Sequence, residues 1–194
     1  MTASTPPAAH LAQLNVATLR HPLDDPRIAP FVELLDPVNA AADDAPGFVW
    51  RLVEDGAADA TGLRPAGEDV IVNLTVWETQ EALWDFAYRS GHLEVMRRRR
   101  EWFERHVEAH LVLWWVPAGH LPTVDEALER LADLRAHGPS PRAFTFASAY
   151  SAAEAAQNLQ AIPPAQDDQV VPPARHEQPA TSTRATPAGD AAAV

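Results

Sequence analysis

The nine residues Asp69 to Trp77, DVIVNLTVW, constrain the fold more than any other stretch of the chain. They are β-branched and apolar and end on an aromatic ring, the signature of a buried strand. Side chains alternate between the faces of a strand. Val70, Val72, Leu74 and Val76 therefore share one wholly apolar face. Ile71, Asn73, Thr75 and Trp77 share the other, which carries an amide, a hydroxyl and an indole N–H. Three hydrogen-bonding groups in succession are unusual on an otherwise apolar segment. Either solvent wets this face, or it looks onto an interior space.

The rest of the chain supplies elements to pair with this strand. His10 to Leu19 repeat its pattern, with Leu11, Gln13, Asn15 and Ala17 on one face and Ala12, Leu14 and Val16 on the other. Phe48 to Val53 and Leu111 to Val116 read as two more strands. Pro26 suits the first turn of a helix, with an apolar stripe of Ile28, Phe31, Val32, Leu35, Val38 and Asn39. Pro37 either kinks that helix or starts a second one capped by Asp36. Glu78 to Arg89 and His92 to about Arg105 read as helices separated by Ser90-Gly91. Thr123, with Glu126 three residues on, has the form of a capping box before a further helix. Phe144 to Phe146 suggest a short edge strand, and SAAEAAQNLQ a short helix.

The order strand, helix, two strands, helices, strand is that of an α+β ferredoxin-like plait. The domain is expected over residues 10–147, after a flexible N-terminus at 1–9. Residues 148–194 are expected to hold one extra C-terminal helix and then a disordered Pro/Ala-rich tail, too poor in large apolar side chains to order itself. Helices cover one face of such a sheet. Trp50, Trp77 and one of Trp114 or Trp115 are expected to crowd the other, and a second copy of the chain is expected to cover it, as a homodimer.

Composition narrows the partners. A net charge of −12 argues against nucleic acid and against an anionic membrane surface. The chain has no Cys, which excludes disulfides and thiolate metal sites. No apolar run approaches the roughly 18 residues of a membrane-spanning helix. MTASTPPAAH lacks the form of a signal peptide, so a cytoplasmic location is expected. His106 and His110 are four apart, but no third ligand with metal-site spacing accompanies them. There is no Gly-rich phosphate loop and no nucleophile elbow.

The runs GFVWRLV, VNLTVWET, ALWDFAYRSGH, RRREWFE, LVLWWVPAGHLPT and GPSPRAFTF resemble an uncharacterised family, domain of unknown function 3291, in the dimeric α/β-barrel superfamily. That resemblance implies the fold and assigns no activity. A looser likeness rests on Asn73 and Trp77, four apart in NLTVW. It is to the cofactor-independent monooxygenases of aromatic polyketide biosynthesis, which oxidise anthrones and related phenols to quinones between sheet and helices. The likeness implies functional roles for Asn73 and Trp77, with Asn15 and Arg97 at further functional positions and no cofactor. A Tyr that some of these enzymes carry would fall near Leu83, where this chain departs from the pattern. Haem-degrading relatives use an Asn, a Trp and an axial His. Asn15, Trp84 and His92 imitate those types, although His92 comes too early in its helix.

If both mixed faces line one cavity, Gln13, Asn15, Asn39 and Thr75 join Asn73 and Trp77 in a small-molecule pocket. The alternative is a buried network tying the strands together. His92 is either a general base or the cap of its helix. Helical spacing places His92, Met96, Arg100, Phe103 and Val107 on one stripe, making Arg100 the inward arginine, whereas family spacing selects Arg97. The resulting expectation is a cofactor-free, quinone-forming monooxygenase acting on a phenol- or anthrone-type aromatic. Asn73, Trp77 and His92 would be catalytic. Gln13, Asn15, Asn39, Thr75, Trp84, Arg97 and Arg100 would bind substrate, and there would be no metal. The alternative is a non-catalytic barrel that binds a small molecule or haem, or a dimeric interaction scaffold.

Overall fold

A computed structural model describes residues 9–89 and 97–161. Its elements are β1 (Ala9–Thr18), α1 (Ala29–Asp43), β2 (Phe48–Arg51), β3 (Val70–Trp77), α2 (Gln80–Arg89), a 3-10 turn (Arg99–Glu101), β4 (Leu111–Pro117), α3 (Val124–His137) and α4 (Ala152–Ala161). The strands form one antiparallel sheet in the order β2-β3-β1-β4, the order of a ferredoxin-like plait. β1 and β3 pair with Gln13 opposite Thr75 and Asn15 opposite Asn73. Directly opposed side chains on one face of a sheet are neighbours, so this register gathers the polar groups of both mixed faces. β2 stops at Arg51, opposite Thr75. Asn73 therefore lies beyond the end of β2, and it is exposed.

The apolar faces behave as their alternation dictates. Ala12, Leu14, Val16, Val72, Leu74, Val76, Val112, Trp114 and Val116 form one cluster with Ala127, Leu131 and Leu134 of α3. All of these sheet residues are buried within a single chain. This corrects the expectation of a bare face awaiting a second copy. α3 covers it, and Trp77 lies on the other side of the sheet among Leu11, Leu83 and Leu113. The Trp-rich face thus gives no reason to expect sheet-to-sheet dimerisation. α3 is anchored at its first turn, where the Glu126 backbone N–H donates to Thr123 Oγ1 at 3.1 Å. The Glu126 side chain does not close the capping box. It accepts the Trp114 indole N–H at 3.0 Å and meets His120 Nε2 at 2.8 Å, which ties the helix to the strand beneath it.

Other details also depart from expectation. α1 begins after Pro26, with Pro30 in its first turn, and continues through Pro37 as one helix. Pro37 forfeits one intrahelical bond, but α1 keeps its cavity-facing stripe through Val38 and Asn39. Phe144 forms only an isolated bridge with Leu113. The helix expected over His92 to Arg105 is helical at 97 and 98, passes into the 3-10 turn and ends before Trp102. The chain is then sewn onto the end of β1, with Arg20 N–H donating to Trp102 O and Glu104 N–H to Thr18 O. Residues 90–96, with His92, and the expected disordered tail from 162 lie outside the described residues.

At that seam the Thr18 backbone N–H donates to His106 Nε2 at 3.4 Å, and the His106 and His110 rings stack 5.0 Å apart. Nε2 accepts only when the ring is neutral. Burial, and then the nearby Arg135 and Arg99, lower the pKa of His106; burial, and then His106, lower that of His110. Both titrate below the ordinary imidazole value of about 6.5 that they regain on unfolding. The unfolded chain therefore binds more protons as pH falls from about 6.5 towards the folded-state values, so stability declines across that window. The melting temperature is expected to drop between pH 7.5 and pH 5.5, and to drop less in a His106→Asn/His110→Asn double variant. Equal pH slopes in thermal melts of the two proteins would contradict this.

Candidate functional site

The face of the sheet opposite α3 does not close completely. Between it and α1 and α2 lies a cavity of about 210 Å³. This exceeds the roughly 150 Å³ of a cavity that takes up benzene. Gln13, Asn15, Asn73 and Thr75 form the polar floor. Phe31, Leu35 and Val38 of α1 and Phe86 and Tyr88 of α2 form apolar and aromatic walls, with Trp102 beside them. Asn39 places one more amide in the α1 wall.

Part of the floor is an internal relay. The Trp77 indole N–H donates to Thr75 Oγ1 at 2.9 Å, and the Thr75 hydroxyl donates to Gln13 Oε1 at 2.9 Å. Its direction follows from chemistry. An indole N–H can only donate, so Thr75 must accept there and pass its own proton onward. Gln13 must then present its carbonyl oxygen to Thr75, which leaves its NH₂ as the free end of the relay. Trp77 is fully buried, stacked on Phe86 at 5.2 Å and edge-on to Phe48 at 5.2 Å. Its N–H is committed to Thr75 rather than left free towards the cavity. Among the described residues, no protein group hydrogen-bonds the side-chain amides of Asn15, Asn39 or Asn73. Three uncommitted amides and one oriented NH₂ in an apolar cavity match the pattern of small-molecule pockets, apolar walls with a few polar groups.

The structure therefore brings Gln13, Asn15, Asn39, Asn73, Thr75 and Trp77 together. Trp84 stands apart, 40% exposed on the outer side of α2, with its ring 4.3 Å from Tyr88 and 5.2 Å from Phe146. Tyr88 and Phe146, which do line the cavity, were not foreseen. Tyr88 follows Trp84 by one helical turn, and that i,i+4 spacing was the available signal. Arg97 and Arg100 are exposed and absent from the wall, and Val107 is fully exposed. Arg99, itself exposed, is the arginine of this run that borders the cavity. The 3-10 turn breaks the 100° step on which the choice of Arg100 depended. The haem alternative needs Asn15, Trp84 and His92 around one cavity. Trp84 is not part of its lining, and His92 lies outside the described residues. Among the described residues, no group of three or more His, Cys, Asp or Glu side chains could hold a metal ion. Among them, too, no helix is long and apolar enough to cross a membrane.

Fold and site together define an α+β plait with an amide-floored cavity between sheet and helices. The chain belongs to the family described as domain of unknown function (DUF3291), whose model matches residues 10–161. No curated protein matches it. Similar solved structures include SnoaB, a cofactor-independent oxygenase from Streptomyces nogalater, with 19% identity, 59% of this chain and 97% of that chain covered, and a TM-score of 0.39. Rv0793 from Mycobacterium tuberculosis shows 15% identity over 59% of this chain and 98% of its own, with a TM-score of 0.40. A monooxygenase from the gene ActVA-Orf6 of Streptomyces coelicolor, in complex with Nanaomycin D, shows 15% identity over 61% and 96%, with a TM-score of 0.36. Resemblance at this level carries no information about activity.

Proposed function

We propose that the protein is a cofactor-independent oxygenase of a phenol- or anthrone-type aromatic, with the cavity as its reaction chamber. The observation that carries this reading is the amide floor: Gln13, Asn15 and Asn73 side by side on one face, facing aromatic walls. Loss of a proton from an anthrone leaves an electron-rich enolate, and that enolate is itself the reductant of O₂. Combination of the two gives a peroxide at the carbon that lost the proton. Loss of water from the peroxide leaves a second carbonyl, so one oxygen atom stays in the quinone and the other departs as water. The protein's task is to hold the ring system flat, exclude water and stabilise the negative oxygen. Fixed amide donors in a dry cavity do the last of these effectively. His92 is the proposed base. The named floor groups all come from one chain.

The test is to incubate the protein with anthrone in air, without added cofactor, and to follow quinone absorbance. Quinone formation well above the buffer rate is the expected result. Binding of anthrone with no turnover would instead make the protein a small-molecule-binding barrel, and no binding would remove both readings.

A further inference from the structure

The charged groups of the cavity wall are unevenly committed. Arg51, at the end of β2, binds Asp43 through both carboxylate oxygens at 2.9 and 3.2 Å and donates to Ala58 O at 3.0 Å. Asp59 accepts from the Thr61 backbone N–H at 2.8 Å and from its hydroxyl at 2.6 Å. That corner therefore holds one guanidinium and two carboxylates. Arg99 is different. It lines the cavity from the 3-10 turn, and among the described residues its guanidinium has no ion-pair partner. Its backbone is well held: the N–H groups of Trp102 and Phe103 donate to Arg99 O at 3.2 and 2.9 Å, and both rings pack on Phe31. A cation on a pinned turn, beside an apolar cavity in a chain of net charge −12, is a local positive pole in an otherwise repulsive field.

We propose that Arg99 is an anion subsite of the cavity, and that the ligand is an aromatic carrying a carboxylate or a comparable anionic oxygen group. This rests on the cavity being the ligand site and adds the charge of the ligand to it. The anionic group lies against Arg99, where a planar guanidinium offers paired donors to a carboxylate. The Arg51 corner, where two carboxylates accompany one guanidinium, offers it no such site. The ring system then lies along the aromatic walls with its other end over the amide floor.

A matched pair of probes tests this: 2-naphthoate and the neutral 2-naphthylmethanol, titrated against the full chain by calorimetry at low and at 0.5 M salt. Naphthoate is expected to bind roughly 5- to 10-fold more tightly at low salt, a preference typical of a charge-assisted contact at a partly exposed site, and to lose most of it at high salt. Arg99→Gln is expected to abolish the preference and leave the neutral probe's affinity within about twofold, and Arg99→Lys to retain part of it. Equal affinities in the wild type, or a preference that survives Arg99→Gln, would overturn the subsite while leaving the cavity as a ligand site. Failure of both probes to bind would remove the cavity reading and the subsite with it. Near-UV circular dichroism of each variant establishes that the comparison is made on folded protein.

Discussion

Asn73→Ala is expected to slow quinone formation by roughly 10²-fold, the scale on which a single oxyanion donor acts, and to leave the melting temperature within about 2 °C of wild type. The two halves of this expectation have separate causes. Asn73 is exposed beyond the end of β2, and no protein group among the described residues engages its amide. Its truncation breaks no hydrogen bond of the folded chain, and substitutions of that kind change stability by about 0.5 kcal/mol or less. The same amide borders the cavity floor opposite Asn15, where a developing negative oxygen would lose a donor. Thermal melting beside the rate of quinone absorbance checks both halves. A fall of more than about 5 °C with the rate intact would make Asn73 a structural residue.

Thr75→Val should do the reverse to stability. Thr75 is buried, and its hydroxyl is the middle of the relay from Trp77 to Gln13. Valine fills the same volume and leaves two buried groups unpaired, the indole N–H and the Gln13 carbonyl. Each such group costs about 1–3 kcal/mol, which for a domain of this size corresponds to a melting temperature lower by roughly 5–15 °C. Gln13 also loses the partner that orients its amide, so turnover of the molecules that remain folded should fall as well. Thr75→Ser keeps the hydroxyl and should melt close to wild type. Trp77→Phe removes only the first donor of the relay; Thr75 still donates to Gln13, and the rate should stay near wild type. A Thr75→Val protein that melts within about 2 °C of wild type would show that the relay does not hold in solution.

The strands and their mixed faces were legible because alternation is a local property, written into LAQLNVA and VIVNLTVW. The six polar and indole groups of the cavity followed from it and from the α1 stripe that carries Asn39. What the faces do to one another was not legible. Trp77 reads as a free donor until the pairing of β1 with β3 sets Gln13 opposite Thr75. The register then converts three separate side chains into one relay with a single free end. The cover of the second face was hidden for a similar reason. The amphipathic pattern of α3 marks an apolar side but not the surface it meets, and its docking on Trp114 depends on Glu126 leaving its cap. The arginine that borders the cavity was missed because periodicity was extended across a change of helix type. Arg99 borders the cavity where the α-helical step has already failed.

The most direct measurement is a crystal structure of the protein soaked with anthraquinone, the product of the proposed reaction. The account predicts the ring system between the aromatic walls of α1 and α2, with one carbonyl oxygen within hydrogen-bonding distance of Gln13 Nε2 or of the Asn15 or Asn73 amide, and the Trp77 N–H still on Thr75. A quinone bound elsewhere on the molecule, or bound in the cavity with both carbonyls against the apolar wall, would contradict it.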